Sequence, residues 1–175
     1  NFPELNAPSL KITKNCGDKM NQLYLEEIIQ PEDSILLIIT EPITENIEKT
    51  IEDIYKKGQE ELILNNLSDN IIDQNEKLGE DKYNLSHFRN IHIFNLSQLN
   101  IDIGKHDIVP QHKCIRKKTE INKILENTNS TENQLPIILR TDPMAKLLRL
   151  APGDICEISR ISERCGEYKY YRICE

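Results

Sequence analysis

The sequence lacks several features that would place it in a familiar class. It has no run of about 18 apolar residues, which excludes a transmembrane helix. It has no charged start followed by an apolar stretch, so we expect no secretory signal peptide. Its 5 cysteines form neither an even set nor a CxxC pair, which favours free thiols over a disulfide framework or a zinc site. We therefore expect an intracellular protein without a cofactor or a membrane partner.

Basic charge is also scarce, and it is unevenly distributed. Residues 1–105 carry 10 basic and 19 acidic side chains, a net charge of −9, whereas residues 106–175 carry 12 and 10, a net charge of +2. No basic cluster is denser than Arg116-Lys117-Lys118, so the chain lacks the charge pattern of an autonomous nucleic-acid binder. The contrast predicts two small domains with different roles, divided near residue 105.

The first half contains patterns of both strands and helices. Residues 34–40 form a short apolar, β-branched run, which is typical of a strand covered on both faces. Isoleucines at helical spacing over residues 43–54 predict an amphipathic helix, with Thr44 placed to cap its start. Residues 65–90 show no clear period and are interpreted as a long loop. Residues 91–94 predict a second strand, and Leu99, Ile101 and Ile103 indicate another.

The second half is marked by turns and helix caps. Residues 106–112, HDIVPQH, are expected to be extended because Pro110 restricts the residue before it. A helix through Thr119 to Leu125 follows, and we expect Thr128-Asn129-Ser130 to end it before a strand at residues 135–139. Pro152-Gly153 turns the chain into a C-terminal β-hairpin, formed by residues 155–160 and 168–174. The whole pattern predicts a mixed α+β fold.

The stretch TDPMAKLLRLAPGD, residues 141–154, predicts a short helix with defined ends. Asp142 can accept hydrogen bonds from the free N–H groups of the first turn, and Pro143 has the φ angle required at the first helical position. The expected buried side consists of Met144, Ala145, Leu147 and Leu148.

Three segments together resemble one known family. They are similar, in the same order, to segments of the C-terminal assembly domain of the fifth subunit of eukaryotic-type RNA polymerases and of its archaeal counterpart. The three segments are HDIVPQH, QLPIILRTDPMAKLLRL and PGDICEISRISERCGEYKYYRIC. The resemblance spans about seventy residues. The chain departs from the family pattern where Leu148-Arg149 replaces an aromatic-Gly pair and where Ile161 replaces the usual Pro. Over residues 30–104 only the strand and the helix after it are similar to the family's N-terminal jaw domain, so this part is either truncated or divergent.

The resemblance implies an organisation and a function. It implies a partial, jaw-like α/β domain over residues 1–104 and an assembly domain over 105–175 with a small β-sheet and short helices. It also implies a non-catalytic structural subunit of a multisubunit DNA-directed RNA polymerase, which docks on the largest subunit beside neighbouring small subunits and is not a homo-oligomer. The implied partner-binding residues are His106, Val109, Pro110, His112, Asp142, Pro143, Arg160, Ser162 and Glu163.

The resemblance also places the loop at residues 41–45 near downstream DNA. Glu41 and Glu45 would repel phosphate, so we expect no direct DNA contact from this loop. The implied location is the nucleus for a cellular eukaryote, and the cytoplasm or the virion for a large DNA virus.

Several alternatives remain open at the level of the sequence. His106, His112 and Cys114 could be metal ligands or a thiol nucleophile with its base, although packed histidines are the simpler interpretation. Arg160 and Arg172 could be solvated, could pair with nearby glutamates, or could contact a partner's carboxylates. A free-standing transcription adaptor with the same C-terminal module, and a nuclease-like enzyme, are the other function classes.

Overall fold

The computed structural model describes residues 22–24, 26, 28–30, 32–40, 42–65 and 69–175. None of the helices in these ranges is both long and apolar enough to cross a bilayer. Mixed helices and strands agree with the predicted α+β class. Glu41 and residues 1–21, which include the start of the predicted jaw-like domain, lie outside the described residues.

The N-terminal region is built on two parallel strands joined by a long helix. Strand β1 (Ile35–Ile39) pairs with β2 (Ile91–Asn95), and helix α1 (Glu45–Asn65) packs against one face of the pair. The buried residues of this cluster are Ile51, Ile54, Ile91 and Ile93. On β1, Leu36 and Ile38 are half exposed, at 50% and 53%. The prediction that this strand is covered on both faces is therefore wrong.

The segment interpreted as a long loop contains regular structure. Helix α2 (Asp69–Leu78) is followed by the 3₁₀ turns Gly79–Asp81 and Leu85–His87, so that prediction is also wrong over the described residues. The helix sequence, DNIIDQNEKL, is too polar to show the apolar period on which the interpretation relied. Residues 66–68 of the segment lie outside the described ranges.

Two predicted extended segments are turns instead. Residues 96–105 form helix α3 (Leu96–Leu99) and a 3₁₀ turn (Ile103–Lys105), not a strand. The Asn95 side chain caps α3 by accepting from the backbone N–H of Ser97 at 2.8 Å. In the HDIVPQH segment, the Val109 N–H donates to the His106 carbonyl and closes a turn, so extended structure starts only at Gln111.

The C-terminal region is a four-stranded sheet in the order β3-β5-β6-β4. Its strands are β3 (Gln111–Ile115), β4 (Ile137–Ile138), β5 (Ile155–Ser162) and β6 (Gly166–Cys174). The predicted β5–β6 hairpin is confirmed and is antiparallel, β3 is antiparallel to β5, and β4 is parallel to β6. Gly153 has φ +92° in the turn before β5, a conformation that a residue with a Cβ rarely adopts.

Two apolar clusters cover the two faces of this sheet. Ile155 and Ile173 pack under helix α4 (Lys118–Thr128), whereas the next residues along each strand, Cys156 and Cys174, pack on the opposite side. This alternation follows from the two-residue period of a strand. Helix α4 ends at Asn129, which has the left-handed φ of 47°, as the Thr-Asn-Ser sequence indicated.

The short helix α5 (Pro143–Leu148) begins as predicted. The Asp142 Oδ1 accepts a hydrogen bond from the Met144 N–H at 2.8 Å, and Pro143 occupies the first turn. Ala145 is fully buried in the second cluster. Leu147, however, is 40% exposed, so its predicted place on the buried side is wrong.

Candidate partner-docking surface

Most of the predicted partner-binding residues lie at one end of the C-terminal sheet. A groove of about 760 Å³ lies between the turn at residues 107–110 and the outer ends of β5 and β6. Val109, Pro110 and Arg160 line it. Ile108 and Ile161 also line it and are 85% and 90% exposed. We call this feature the Arg160 groove.

The Arg160 guanidinium is held by an aromatic ring and remains accessible. Its central carbon lies 4.8 Å from the centroid of the Tyr170 ring, and that of Arg172 lies 5.5 Å from the same ring. Arg172 also donates to the Ile137 carbonyl at 3.3 Å. Stacking on a ring fixes the plane of a guanidinium without using its N–H donors. Arg160 is therefore positioned to offer its donors to a partner's carboxylate.

The two histidines of HDIVPQH shape the turn beside the groove. The His112 Nδ1 donates to the Pro110 carbonyl at 2.6 Å, which holds the proline against the start of β3. His106 is exposed, and its Nδ1 accepts from the Ile108 N–H at 3.3 Å. Both rings therefore make local hydrogen bonds that stabilise this turn.

The remaining predicted residues divide between two places. Ser162 ends β5 and accepts from the Arg164 N–H at 3.3 Å, and Glu163 is exposed in the hairpin turn. Asp142 and Pro143 do not line the Arg160 groove. Pro143 lines a separate groove of about 490 Å³ that has both apolar and polar walls, the apolar ones including Ile43, Phe94, Leu99, Ile101 and Leu147.

The described residues give little support for catalytic chemistry at the thiol of Cys114. Burial raises the pKa of Cys114 to about 12, and the neighbouring Asp154 carboxylate acts in the same direction. The thiolate is the nucleophilic form, so the raised pKa disfavours nucleophilic chemistry at Cys114 near neutral pH. Within the described ranges, no group of three His, Cys, Asp or Glu side chains could hold a metal ion.

A buried cluster around Asp154, which no sequence pattern indicated, joins the two regions. Asp154 is 1% exposed and accepts from the His87 ring at 2.7 Å, the Arg116 Nε at 3.1 Å and the Ala151 N–H at 2.8 Å. Burial alone would raise its pKa, but the hydrogen bonds from His87 and Ala151, with the charge of Arg116, lower the pKa instead. The sequence could not predict this cluster, because His87 and Asp154 lie 67 positions apart in the chain. Locally it shows only that an acidic residue follows Pro152-Gly153.

Two further contacts join the regions beside this cluster. The Arg140 guanidinium donates to the Asn90 side-chain oxygen at 2.6 Å and lies 3.8 Å from the centroid of the Tyr55 ring. Lys146 on α5 pairs with Glu48 on α1 at 3.0 Å. Together with the Asp154 cluster, these contacts attach α1 and β2 to the C-terminal sheet.

Comparison with known proteins identifies the C-terminal region. A family model described as RNA polymerase Rpb5, C-terminal domain, matches residues 101–174. The DNA-directed RNA polymerase subunit Rpo5 of Methanococcus maripaludis is 41% identical over 71 residues, which cover 41% of this chain and 90% of the relative. The chain belongs to the Rpb5 family of RNA polymerase subunits.

Two further relatives match this chain over similar lengths. Subunit Rpo5 of Pyrococcus horikoshii is 43% identical over 72 residues, or 41% of this chain and 87% of the relative. The subunit rpabc1 of RNA polymerases I, II and III from Dictyostelium discoideum is 36% identical over 81 residues, or 46% of this chain and 41% of the relative. The Arg160 groove lies inside the region that matches the family model.

Proposed function

We propose that this Rpb5-family chain is a non-catalytic structural subunit of a multisubunit RNA polymerase and docks on the largest subunit through the Arg160 groove. The observation that carries the proposal is the combination, in one groove, of two highly exposed isoleucines with an oriented guanidinium. Arginine is among the residue types that dominate binding energy at protein interfaces, and the buried core of an interface is more apolar than the rest of the surface. Neighbouring small subunits contact adjacent surfaces of the same region.

The N-terminal region contributes to the jaw around downstream DNA without binding phosphate through its acidic loop. Its described helices carry many carboxylates, and the first turn of α1 contains Glu45 and Glu48. Phosphate contacts normally come from Lys and Arg, so this region would influence DNA mainly by its position. The site of action is the nucleus for a cellular eukaryote, and the cytoplasm or the virion for a large DNA virus.

The docking proposal is tested by Arg160→Ala in the full chain. If Arg160 binds a partner's carboxylate, its loss should weaken assembly with the largest subunit by about 2 kcal/mol or more, which is roughly 30-fold in Kd. The melting temperature of the free protein should barely change, because Arg160 is not part of either apolar cluster and its guanidinium stacks on the Tyr170 ring at the outer end of the hairpin. Assembly is measured by co-purification with the largest subunit and by titration calorimetry.

A matched control is Lys169→Ala on the same hairpin. Lys169 is 57% exposed and pairs with Glu157 at 3.0 Å, and it does not line the groove. Its removal should leave assembly unchanged. Wild-type affinity of the Arg160→Ala variant for the largest subunit would refute the docking role of Arg160. Dissociation of the wild-type chain from the polymerase in high salt would instead favour a free-standing adaptor.

A further inference from the structure

One side of strand β6 is only partly covered by its neighbour β4. Strand β6 pairs with β5 from Gly166 to Ile173, whereas β4 pairs only with Ile173 and Cys174. The chain before β4 forms the 3₁₀ turn Glu132–Gln134 instead of continuing beside β6. Within the described ranges, residues 167–171 therefore have no strand on the β4 side. We call this feature the β6 edge.

A hydrogen bond to β4 shows which backbone groups face the β6 edge. The Ile173 N–H donates to the Pro136 carbonyl at 2.9 Å. The backbone groups of successive strand residues point alternately to the two sides, and the β5–β6 register is continuous, so no bulge changes this alternation. The N–H and C=O groups that face the same side as those of Ile173 belong to Glu167, Lys169 and Tyr171. The edge thus presents a row of backbone donors and acceptors that an added strand can pair with.

The β6 edge is not protected by its one lysine. Natural edge strands are commonly protected by Lys or Pro, by a bulge, or by a covering helix or loop. The Lys169 Nζ pairs with Glu157 of β5 at 3.0 Å, so this side chain leans over the sheet rather than beyond its edge. Residues 166–169 are exposed. The outer part of the edge is therefore accessible to another chain.

One face of the sheet beside this edge is basic. The guanidinium carbons of Arg160 and Arg172 lie 4.8 and 5.5 Å from the centroid of the Tyr170 ring. In the described part of the chain, neither arginine forms an ion pair. The strand residues that share this face, at even-numbered positions of β3, β5 and β6, include no carboxylate. Asp142, whose charge acts on Cys156 of this face, caps α5 and balances only part of the positive charge.

The opposite face is balanced in charge and partly apolar. Lys169 is paired with Glu157. Tyr171 packs against the apolar cluster under α4, and Ile137 at the start of β4 is 46% exposed. An extended segment that pairs with the β6 edge places its side chains alternately on the two faces. Acidic side chains fit the arginine face, and apolar side chains fit the face of Tyr171 and Ile137.

We propose that the β6 edge binds an extended segment of a partner protein, with alternating acidic and apolar residues, by strand addition. The backbone of the segment exchanges hydrogen bonds with Glu167, Lys169 and Tyr171, which is a general way in which a peptide extends a sheet. Its carboxylates lie beside Arg172. The turn at residues 107–110, which forms one wall of the Arg160 groove, precedes β3 at the other border of the sheet, so the β6 edge is a second surface.

A second copy of the chain fits this edge less well. Antiparallel pairing of two β6 edges places the same face of each sheet side by side. The basic face of one copy, with Arg160 and Arg172, would then adjoin the basic face of the other. Like charges brought together on one face destabilise a sheet, whereas an acidic segment neutralises them.

The test measures amide hydrogen exchange by NMR in the full chain, with a synthetic peptide of alternating Asp and Val residues as the probe. Without the peptide, the Lys169 amide should exchange rapidly, whereas the amides of Tyr168 and Tyr170, which face β5, should be protected. At a peptide concentration of about ten times Kd, protection of the Lys169 amide should rise about tenfold. The amide of His112, which faces away from β5 at the other border of the sheet, should not change.

Two variants at one position separate backbone pairing from side-chain contact. Lys169→Pro removes the N–H that faces the edge, Lys169→Ala keeps it, and both lose the ion pair with Glu157. Proline is tolerated where a strand N–H faces solvent, and retained melting temperatures show that both variants fold. We expect Lys169→Pro to weaken peptide binding about fivefold or more, and Lys169→Ala to bind the peptide like the wild type.

A second peptide, with Asn in place of Asp, tests the role of charge. It keeps the backbone and the shape but not the carboxylates, so we expect affinity weaker by about fivefold or more. Titration calorimetry measures both peptides with the wild-type chain. Equal affinity for the two peptides would contradict the acidic character of the partner.

Four further results would overturn the proposal. The first is no added protection of the Lys169 amide with the Asp peptide up to about 5 mM. The second is equal added protection at His112, which would indicate pairing with any free edge. The third is equal affinity of Lys169→Pro and Lys169→Ala. The fourth is slow exchange of the Lys169 amide before peptide is added, which would show that this chain or a second copy already covers the edge. The assay contains no polymerase, so its outcome is independent of docking through the Arg160 groove.

Discussion

The two regions of this chain bury their cores in different ways. The C-terminal sheet has an apolar cluster on each face, and most residues of each cluster come from positions 115–174. The N-terminal sheet has two described strands, one covered face and half-exposed Leu36 and Ile38 on the other. Its polar residues Asn90 and His87 are satisfied by Arg140 and Asp154 of the C-terminal region. The N-terminal region thus depends on its neighbour for contacts that the C-terminal region largely supplies for itself.

The strongest test of this difference is to express the two regions as separate fragments. We expect a fragment of residues 106–175 to unfold cooperatively, because it retains its four strands and both clusters. A fragment of residues 1–105 should show no cooperative transition, because a two-stranded sheet is marginal without further packing. Thermal melts followed by far-UV circular dichroism test both fragments.

The control is an equimolar mixture of the two fragments. If the contacts of Asp154 and Arg140 hold the regions together, mixing should restore N-terminal structure and raise the melting temperature of residues 106–175. An unstructured 106–175 fragment, or a cooperative transition in residues 1–105 alone, would contradict the dependence described above.

The next largest effect is expected at Asp154. Replacing it with Ala should lower the free energy of unfolding by about 3–5 kcal/mol, because His87 and the Arg116 guanidinium would lose a buried partner. Urea unfolding of the full chain measures this change. Asp107→Ala, at an exposed position of the same region, should stay within about 0.5 kcal/mol of the wild type.

Asp154→Asn distinguishes charge from shape at the same position. The amide keeps the volume of the side chain but removes its charge, so we expect a loss smaller than that of Asp154→Ala. Because the pKa of Asp154 is lowered on folding, its charge stabilises the fold above the ordinary value of 3.8, and this contribution is lost as pH falls below it. A wild-type stability for either variant would show that the cluster does not join the regions.

The same contrast explains which features the sequence could predict. Asp142, Asn129 and Gly153 were interpretable because a cap or a turn depends on a few neighbouring residues. The first turn of helix α4, in contrast, is capped by a residue that is distant in sequence, because Asp81 Oδ1 accepts from the Thr119 N–H at 3.1 Å. No local pattern shows such a contact.

Most of the wrong predictions concern the N-terminal region, because its structure depends on contacts between residues that are distant in sequence. The alternation of Leu99, Ile101 and Ile103 suggested a strand, but Leu99 and Ile101 are 40% and 65% exposed and form no ladder. Tertiary context, rather than periodicity, decides such short apolar runs. At the candidate site, the resemblance indicated Arg160, whereas Ile108 had no distinguishing signal as an exposed groove residue.

A smaller effect should appear in the pH dependence of His92. Its folded pKa of about 4 lies below the unfolded value of 6.5, so the unfolded state binds the proton more readily between these values. Stability should therefore be complete above pH 6.5 and fall by up to about 3 kcal/mol as pH drops to 4. Urea unfolding across this range should show a flatter dependence for His92→Gln, whereas a variant at exposed His106 should keep the wild-type dependence. An unchanged slope in His92→Gln would contradict this assignment.

The smallest expected effect concerns the local cap of α5. It tests whether the C-terminal region is stabilised by contacts within residues 106–175. Asp142→Ala removes the acceptor for the Met144 N–H, at a cost of about 0.5–2 kcal/mol in the free energy of unfolding. Asp142→Asn keeps a side-chain oxygen at this position and should lie within a few tenths of a kcal/mol of the wild type, since Asn and Asp are about equally good caps. Because the cap and the helix both belong to residues 106–175, the loss should be the same in that fragment as in the full chain. A loss seen only in the full chain would mean that α5 depends on its Lys146–Glu48 contact with α1 more than on its own cap.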